Sequence, residues 1–554
     1  MSGLSAKPSR VILFGVVLIG LAFATFTEHA WEDYWITFRA SRNLATGNGL
    51  VFTVGDRLHT FTSPLGVLLP AALSWVTGNS NDLLVLWLFR LVSIGTLATG
   101  IVLLFQILSR IQKHGLAVGL GLALVALDAK TIDFSINGME TGLVIFFLAL
   151  TLYGLLLPGP RQLLWLGLGW AGLMWSRPDS FVYIGVLGFA AFVFLPQEAA
   201  GFDRKQLIIR YFKAGILCAA LYLPWFLWAW WYYGSPKPHT IVAKGTNLSP
   251  LSPLVLLRDF VLFPFSLLVG NSYHRWVFLP AYAWFGYWHF TLRAVGTLLG
   301  LAAAFAWTVP LLRSQTRVLS LAFYLSLFFL SHVVRSVFPW YLPAAAVLGY
   351  LTLALLFDQL LSLAHELPRL GWNRGWLRHA NPLLRALAIL LILGQMVVTI
   401  LVARQMSVQQ ALIETGMRRQ IGLWLRANAS SPDDTVYLEP LGYIGYYSQL
   451  KMLDWPGLAS RRVVEVRRRL GREHETEAYL ELKPDWLVLR PTDVSGGTII
   501  DGKRVTELYE LVTVFDVSKQ VDAIHWLPGR SYLNFDRTFL VYHRKPDGVA
   551  KPAG

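Results

Sequence analysis

Charge and cysteine are both scarce in this chain. Only 15% of its 554 residues are charged, where soluble domains carry about a quarter, so a purely soluble globular class is excluded. The one cysteine, Cys218, lies inside an apolar run and rules out an internal disulfide or a cysteine-based metal centre. There is no phosphate-cradling Gly-rich loop, no zinc-spaced histidine cluster, no internal repeat and no low-complexity tract. Gly47-Asn48-Gly49 reads as a turn. Acids are fewer than bases, 33 against 48, for a net charge of +15. A nucleic-acid partner is the weaker explanation, because the positive residues sit in short loops between apolar segments, where they set membrane orientation.

Apolar and aromatic residues fill the gap: 55% hydrophobic, 14% aromatic, 22 Trp and a mean hydropathy of +0.49. Trp and Tyr favour the headgroup belt, where one end of the ring is wet. Segments near the ~20 residues a bilayer crossing takes lie at 11–27, 83–109, 139–157, 180–196, 213–233, 286–311, 317–336, 339–361 and 384–403. Shorter ones at 115–128 and 162–178 can cross in thinned bilayer. Lys7 and Arg10 place the N-terminus in the cytoplasm. No small-residue cleavage site precedes Trp31, so the first helix is expected to stay uncleaved. The basic loops at Arg110–His114, Arg161, Arg204–Lys213, Arg313–Arg317 and Arg369–Arg385 all fall on the cytoplasmic side if two apolar stretches do not cross. Ser63–Thr77 is therefore expected as an interfacial helix and 252–281 as a re-entrant or surface hairpin. The predicted fold is a multi-spanning α-helical membrane protein of about eleven helices. Residues 1–404 form its membrane domain, with a first extracytoplasmic loop over 28–82. After residue 404, strand-like runs at 435–438, 486–489, 511–515 and 538–542 and helical stretches at 407–427 and 460–482 predict a soluble extracytoplasmic α/β domain, 405–554.

Candidate chemistry collects on the outer side. The first loop opens with Trp31-Glu32-Asp33-Tyr34-Trp35-Ile36-Thr37-Phe38-Arg39. Adjacent carboxylates framed by aromatics at a membrane surface read as an enzyme working at the lipid–water boundary. Trp31, Trp35 and Phe38 make an apolar stripe expected to lie on the membrane. Asp33 shares its face with Thr37 and Ala40, turned toward a site, whereas Glu32 alone is explained as a helix cap. Asp128, Asp133 and Glu140 form a second acidic group, with Glu140 also a candidate cap. Outward-facing bases are fewer: Arg177 in Ser176-Arg177-Pro178-Asp179, then Lys237, His239 and Lys244, then His332 and Arg335 ahead of Phe338-Pro339-Trp340-Tyr341. One such arginine is usually a snorkelling anchor; several suggest an anionic ligand, phosphate above all.

The ordered set of these motifs resembles a family. Glu32-Asp33-x-x-Ile36-Thr37-Phe38-Arg39-x-x-Arg42-Asn43-Leu44-Ala45-x-Gly47-x-Gly49-Leu50-Val51-Phe52, with Gly55-Asp56-Arg57 and Thr62-Ser63-Pro64-Leu65, is similar to the first-loop signature of GT-C glycosyltransferases. The bacterial arabinofuranosyltransferase branch is the most similar. Asn137-Gly138-Met139-Glu140-Thr141, Ser176–Asp179, Tyr233-Gly234-Ser235-Pro236-Lys237-Pro238-His239-Thr240 with Lys244, and Gly442-Tyr443-Ile444-Gly445-Tyr446-Tyr447 follow in order. The resemblance implies a GT-C fold, a polyprenyl-phosphate sugar donor, an envelope glycan or glycolipid acceptor and transfer at the outer face of a bacterial inner membrane. It carries the catalytic base to Asp33, with Glu32 and Glu140 beside it. Donor phosphate would be met by Arg177, Lys244, Arg335, Lys237 and His239, and substrate by Arg39, Asp133, Asp179, His332 and Tyr341. No cofactor is required, although Glu32, Asp33 and Glu140 offer the oxygen ligands that Mg2+ or Mn2+ takes. The chain departs from the family at Glu32, where a second aspartate is usual, and at His239, where an asparagine is. Competing readings are a lipid-linked sugar transporter with Arg90 as its intramembrane charge, an enzyme for mannose or aminoarabinose, and a C-terminal polysaccharide-binding module using Tyr446, Tyr447, Trp455 and Trp486.

Overall fold

In hydrocarbon every backbone N–H and C=O must find its partner inside the segment, so a long apolar run is driven to helix. The structure, a computed structural model, describes residues 6–546 except 158, 196–203, 247–251, 270–274, 282, 284–287, 336, 367–376 and 498. The described α-helices up to residue 409 are, in chain order, α1 (Ala6–Thr27), α2 (Glu32–Ala45), α3 (Pro64–Val76), α4 (Asp82–Ile111), α5 (Gly115–Ala126), α6 (Ala129–Ile136), α7 (Thr141–Leu156), α8 (Gln162–Ser176), α9 (Phe181–Phe194), α10 (Arg204–Tyr233), α11 (His239–Lys244), α12 (Pro253–Val269), α13 (Phe290–Phe305), α14 (Ser314–Phe329), α15 (Leu342–Glu366) and α16 (Leu377–Gln409). Each of the eleven apolar segments picked out above falls on one of them. Among the described residues, seven helices are long and apolar enough to cross a membrane, or eight when α5 and α6, bent by 46°, count as one. The chain is a multi-pass membrane protein with the expected helical fold.

Helices α7 and α9 are shorter than their apolar runs. Asn137–Glu140 turns through Gly138 at φ +96° before α7 begins, and Pro178–Ser180 forms a 3-10 turn before α9. Motif residues thus take backbone that hydropathy assigned to the spans. Of the hairpin expected over 252–281, the first arm is α12 and residues 270–274 lie outside the described residues, as do residues 369–376 of the basic loop that ends at Arg385.

By packing, the chain divides into two units. The first comprises 1–26, 90–225 and 251–404, and its core is a continuous apolar cluster running from Leu97 and Leu148 to Phe323 and Leu348. The second joins 27–89, 226–250 and 405–554, so the first loop and the C-terminal segment share one unit. There α16 continues through a π-helical stretch, Gln410–Arg418, into α17 (Arg419–Asn428). A five-stranded mixed sheet follows: β1 (Thr435–Leu438), β2 (Lys451–Asp454), β3 (Trp486–Leu489), β4 (Tyr509–Asp516) and β5 (Thr538–Arg544), in the order β2-β1-β3-β5-β4. β1 is parallel to β2 and β3, while β5 is antiparallel to β3 and β4. β2 escaped the sequence reading because Lys451-Met452-Leu453-Asp454 has no β-branched residue; pairing of Val436 with Met452 recruits it. Between β1 and β2 lies α18 (Gly442–Ser448), and after β2 comes α19 (Arg461–His474).

Candidate functional site

In the second unit α2 is the central piece. The Trp31, Trp35 and Phe38 stripe does not lie on lipid: the three side chains are buried, Trp35 at 1% and Phe38 at 0% exposure. Trp35 packs 4.7 Å from Tyr446 and 5.3 Å from Tyr443 and Tyr447, ring centre to ring centre. Tyr34 stacks on Phe38 at 5.2 Å. An apolar stripe reads the same whether lipid or protein covers it, and here the aromatic motif of α18 covers it.

Positions 32, 35, 36 and 39 form one helical face at i, i+3, i+4, i+7, and that face meets the C-terminal segment. Glu32 accepts from the Gly442 N–H and lies 3.2 Å from Arg418 Nη1. Ile36 joins Phe52, Ile413, Met417 and Val436 in one core. Arg39 donates to the carbonyls of Gly445 (2.8 Å), Gln449 (3.0 Å) and Leu450 (3.2 Å) and lies over the Phe52 ring. The guanidinium offered above for substrate is therefore committed to three backbone carbonyls. Burial, reinforced by nearby Glu414, pushes the Glu32 carboxyl up to about 8 despite the opposing pull of Arg418. Asp33 and Thr37, on the adjacent face, are half-buried.

The Tyr233–Thr240 motif belongs to the same unit. Tyr233 donates to the Leu50 carbonyl (2.7 Å), His59 stacks on Tyr233 at 4.4 Å, and the His239 N–H donates to the His59 carbonyl (2.9 Å). Burial lowers His59 to about 3, so its ring is neutral. Lys237 is exposed and Lys244, ending α11, half-buried.

In the first unit three motifs distant in sequence converge. Arg177 donates to Glu140 (2.8 Å) and Asp179 (3.1 Å) and lies 4.3 Å from the centre of the Tyr341 ring. Glu140 stands at the N-cap of α7, yet its side chain makes no cap; the ion pair takes its place. The cleft lined by Thr141, Asp179, Tyr183, Trp340 and Tyr341 measures about 10 Å3, room for about one water. Asp133 is buried and accepts from Asn137 (3.3 Å), while Asp128 caps α6 and accepts from Tyr350 (3.0 Å). His332 meets the Phe328 carbonyl at 3.1 Å, and Arg335 ends a π-turn at φ +61°. Arg90, the charge that a transporter reading needs, donates to the Ile136 carbonyl at 2.7 Å.

Sequence reading missed Arg418, Glu414, Gln410 and Asp536. Arg418 holds both Glu414 oxygens at 2.9 Å and donates to Asp536. Gln410 accepts from the Ala30 N–H (2.9 Å) just ahead of α2. Nothing in the sequence separates a buried charge in a polar helix from a solvated one. The π-stretch that carries Gln410, Glu414 and Arg418, a geometry frequent at functional sites, is visible only in coordinates. The aromatics offered for sugar stacking are committed to packing: Tyr446 on Trp35, Tyr447 under Arg419, Trp455 under Arg467, and Trp486 against Trp424 and His543. Among the described residues no group of three His, Cys, Asp or Glu side chains gathers in a metal-binding arrangement.

Comparison with known proteins gives sequence and fold relatives. A family described as a domain of unknown function, DUF8728, matches residues 404–542. The terminal β-(1→2)-arabinofuranosyltransferase of Mycobacterium tuberculosis is 28% identical over 242 residues, 39% of this chain and 36% of that protein. The Corynebacterium glutamicum enzyme of the same name is 27% identical over 254 residues, 39% of this chain and 33% of that one. The match thus spans about a third of either relative. Among solved structures, ArnT from Cupriavidus metallidurans bound to undecaprenyl phosphate superposes with a TM-score of 0.50 at 13% identity, covering 99% of this chain and 100% of that one. The chain has the membrane fold of ArnT, as the GT-C resemblance implied, and over part of its length it is similar to terminal arabinofuranosyltransferases.

Proposed function

We propose that this protein is a membrane glycosyltransferase moving a sugar, arabinofuranose by its sequence relatives, from a polyprenyl-phosphate donor to a cell-envelope glycan. Transfer takes place at the outer face of the bacterial inner membrane, with the N-terminus cytoplasmic and the C-terminal segment outside. Relatives named for arabinofuranosyl transfer and a fold neighbour bound to undecaprenyl phosphate support the reaction class and the donor. The basic loops support the orientation.

Asp33 carries the mechanism. An acceptor hydroxyl is a weak nucleophile, and a carboxylate within hydrogen-bond reach removes its proton as it attacks the anomeric carbon. The polyprenyl phosphate leaves with its charge stabilised by cations, a role we assign to Lys244, with Lys237 and His239 in support, all in the same unit as Asp33. Arg177 is already balanced by Glu140 and Asp179 and lies against the Tyr341 ring, which leaves its charge little to offer a phosphate. The observation that carries the reading is the split along α2: Glu32, Trp35 and Arg39 are buried, while neighbouring Asp33 is only partly buried.

The test is transfer from radiolabelled polyprenyl-phosphate arabinose by detergent-purified protein without an ion gradient. Asp33→Asn is expected to abolish turnover while the protein remains folded; retained turnover removes Asp33 from the chemistry. The steps above call for no metal, so turnover is expected to survive EDTA, and sensitivity to it would add Mg2+ or Mn2+ to the scheme.

A further inference from the structure

Helix α2 is held at two points on one face. At its start, both Glu32 carboxylate oxygens face donors: Oε1 the Gly442 N–H and Oε2 the Arg418 guanidinium. Arg418 is itself immobilised, with Nη1 on Glu414 and Nη2 on Asp536, and Asp536 also accepts from Arg490 Nε. Two turns later Arg39 is pinned on three carbonyls between Gly445 and Leu450. All of these charged side chains are buried. The backbones also touch: a Cβ on Gly442 would lie 2.0 Å from the Glu32 carbonyl oxygen, so only glycine allows this approach.

We propose that Glu32 is a positioning residue for Asp33: clamped by Gly442 and Arg418, it sets the rotation of the first turn of α2 and so the aim of the Asp33 carboxylate. This rests on the reading of Asp33 as the base, and it makes the C-terminal segment part of the catalytic apparatus. Asp33 follows Glu32 by one residue, 100° round the helix, so rotation at Glu32 swings Asp33 directly. Apolar contacts such as those of Trp35 hold a helix down but tolerate small rotations. A carboxylate between a backbone N–H and a fixed guanidinium does not, and specifying register is the best-attested use of buried polar groups. Both Glu32 oxygens are taken up by these donors.

The test combines two readouts on the full-length detergent-purified chain. The first is steady-state transfer by Glu32→Ala and Glu32→Gln. The alanine is expected to lower kcat on the order of 10- to 100-fold with donor KM within about twofold of wild type. The glutamine, whose amide oxygen still accepts from Gly442 while its NH2 loses the Arg418 contact, is expected to restore part of kcat. The second readout needs no sugar: the thiol of Asp33→Cys, in a Cys218→Ser background, is titrated with a small anionic thiosulfonate. Its reaction rate is expected to shift severalfold with Glu32→Ala and to return in part with Glu32→Gln. Should Glu32→Ala fail to fold, Arg418→Lys, which keeps the charge and loses the fork, is scored the same way. A thiol rate and a kcat per folded molecule that ignore Glu32→Ala overturn the clamp. So does a glutamine as inactive as the alanine, since Glu32 would then take part in the chemistry itself. If Asp33→Asn retains turnover, the base assignment falls, and the thiol rates still decide the clamp on their own.

Discussion

Gly442→Ala isolates the contact between α18 and α2 with a single methyl group and no change of charge. The added Cβ would stand 2.0 Å from the Glu32 carbonyl oxygen, 2.8 Å from its carbonyl carbon and 3.0 Å from its Oε1. Carbon and carbonyl oxygen settle near about 3.3 Å, so the two backbones must part by more than an ångström. Neither gives way easily. Arg39 holds α2 at its far end, and on α18 a Cβ at Gly445 would be 3.2 Å from both Phe52 and Met452, so that end is tightly packed too. Overpacking of this kind costs about 1–3 kcal/mol, which a folded unit survives. Moving a catalytic carboxylate by an ångström costs on the order of 100-fold in rate. The expected signature is therefore a modest fall in Tm with a large fall in kcat, measured on one preparation by thermal melting and donor turnover. Gly394→Ala in α16, whose Cβ meets no atom within 4 Å, serves as the control and should keep wild-type turnover. A Gly442→Ala protein with kcat within about threefold of wild type and Tm within about 1 °C would refute the packing argument and weaken the case for the clamp.

Two further outcomes follow from the same unit. Glu32 titrates near 8 when folded against an ordinary 4.5, so between those values the folded chain holds a proton that the unfolded chain has released. Its contribution to stability is complete below pH 4.5 and is lost as pH rises through about 8; Tm should fall between about pH 7 and pH 9, and Glu32→Gln should flatten that slope. Arg418→Met strands the buried Glu414 without its cation and is expected to destabilise by about 3–5 kcal/mol. Arg537→Ala, which breaks a more exposed pair with Asp522, should cost less than about 1 kcal/mol in the same denaturant titration.

Much of the architecture was legible because hydrophobicity dictates it. Runs such as 83–109 and 339–361 can satisfy their backbone in lipid only as helix, and each became one. β1 and β3 coincide with the runs 435–438 and 486–489, where β-branched and aromatic side chains favour a pleated surface. The site was legible as motifs, not as partnerships. Asn137–Thr141, Ser176–Asp179 and Tyr341 stood out separately, and only folding showed them meeting at the Arg177 guanidinium. Arg39, set aside for substrate, is taken up by three carbonyls, and the stripe expected to face lipid is covered by Tyr443 and Tyr446.

By itself, then, the sequence determined which runs become long apolar helices and where the chain turns to a sheet, since these depend on local composition and period. Tertiary structure alone decided what holds Glu32, which the sequence offered only as a helix cap beside Asp33. Glu32 points at Gly442 and Arg418, about 400 residues away in sequence, and Asp33 turns 100° aside. Local sequence contains no term for which side of a helix a distant segment will cover.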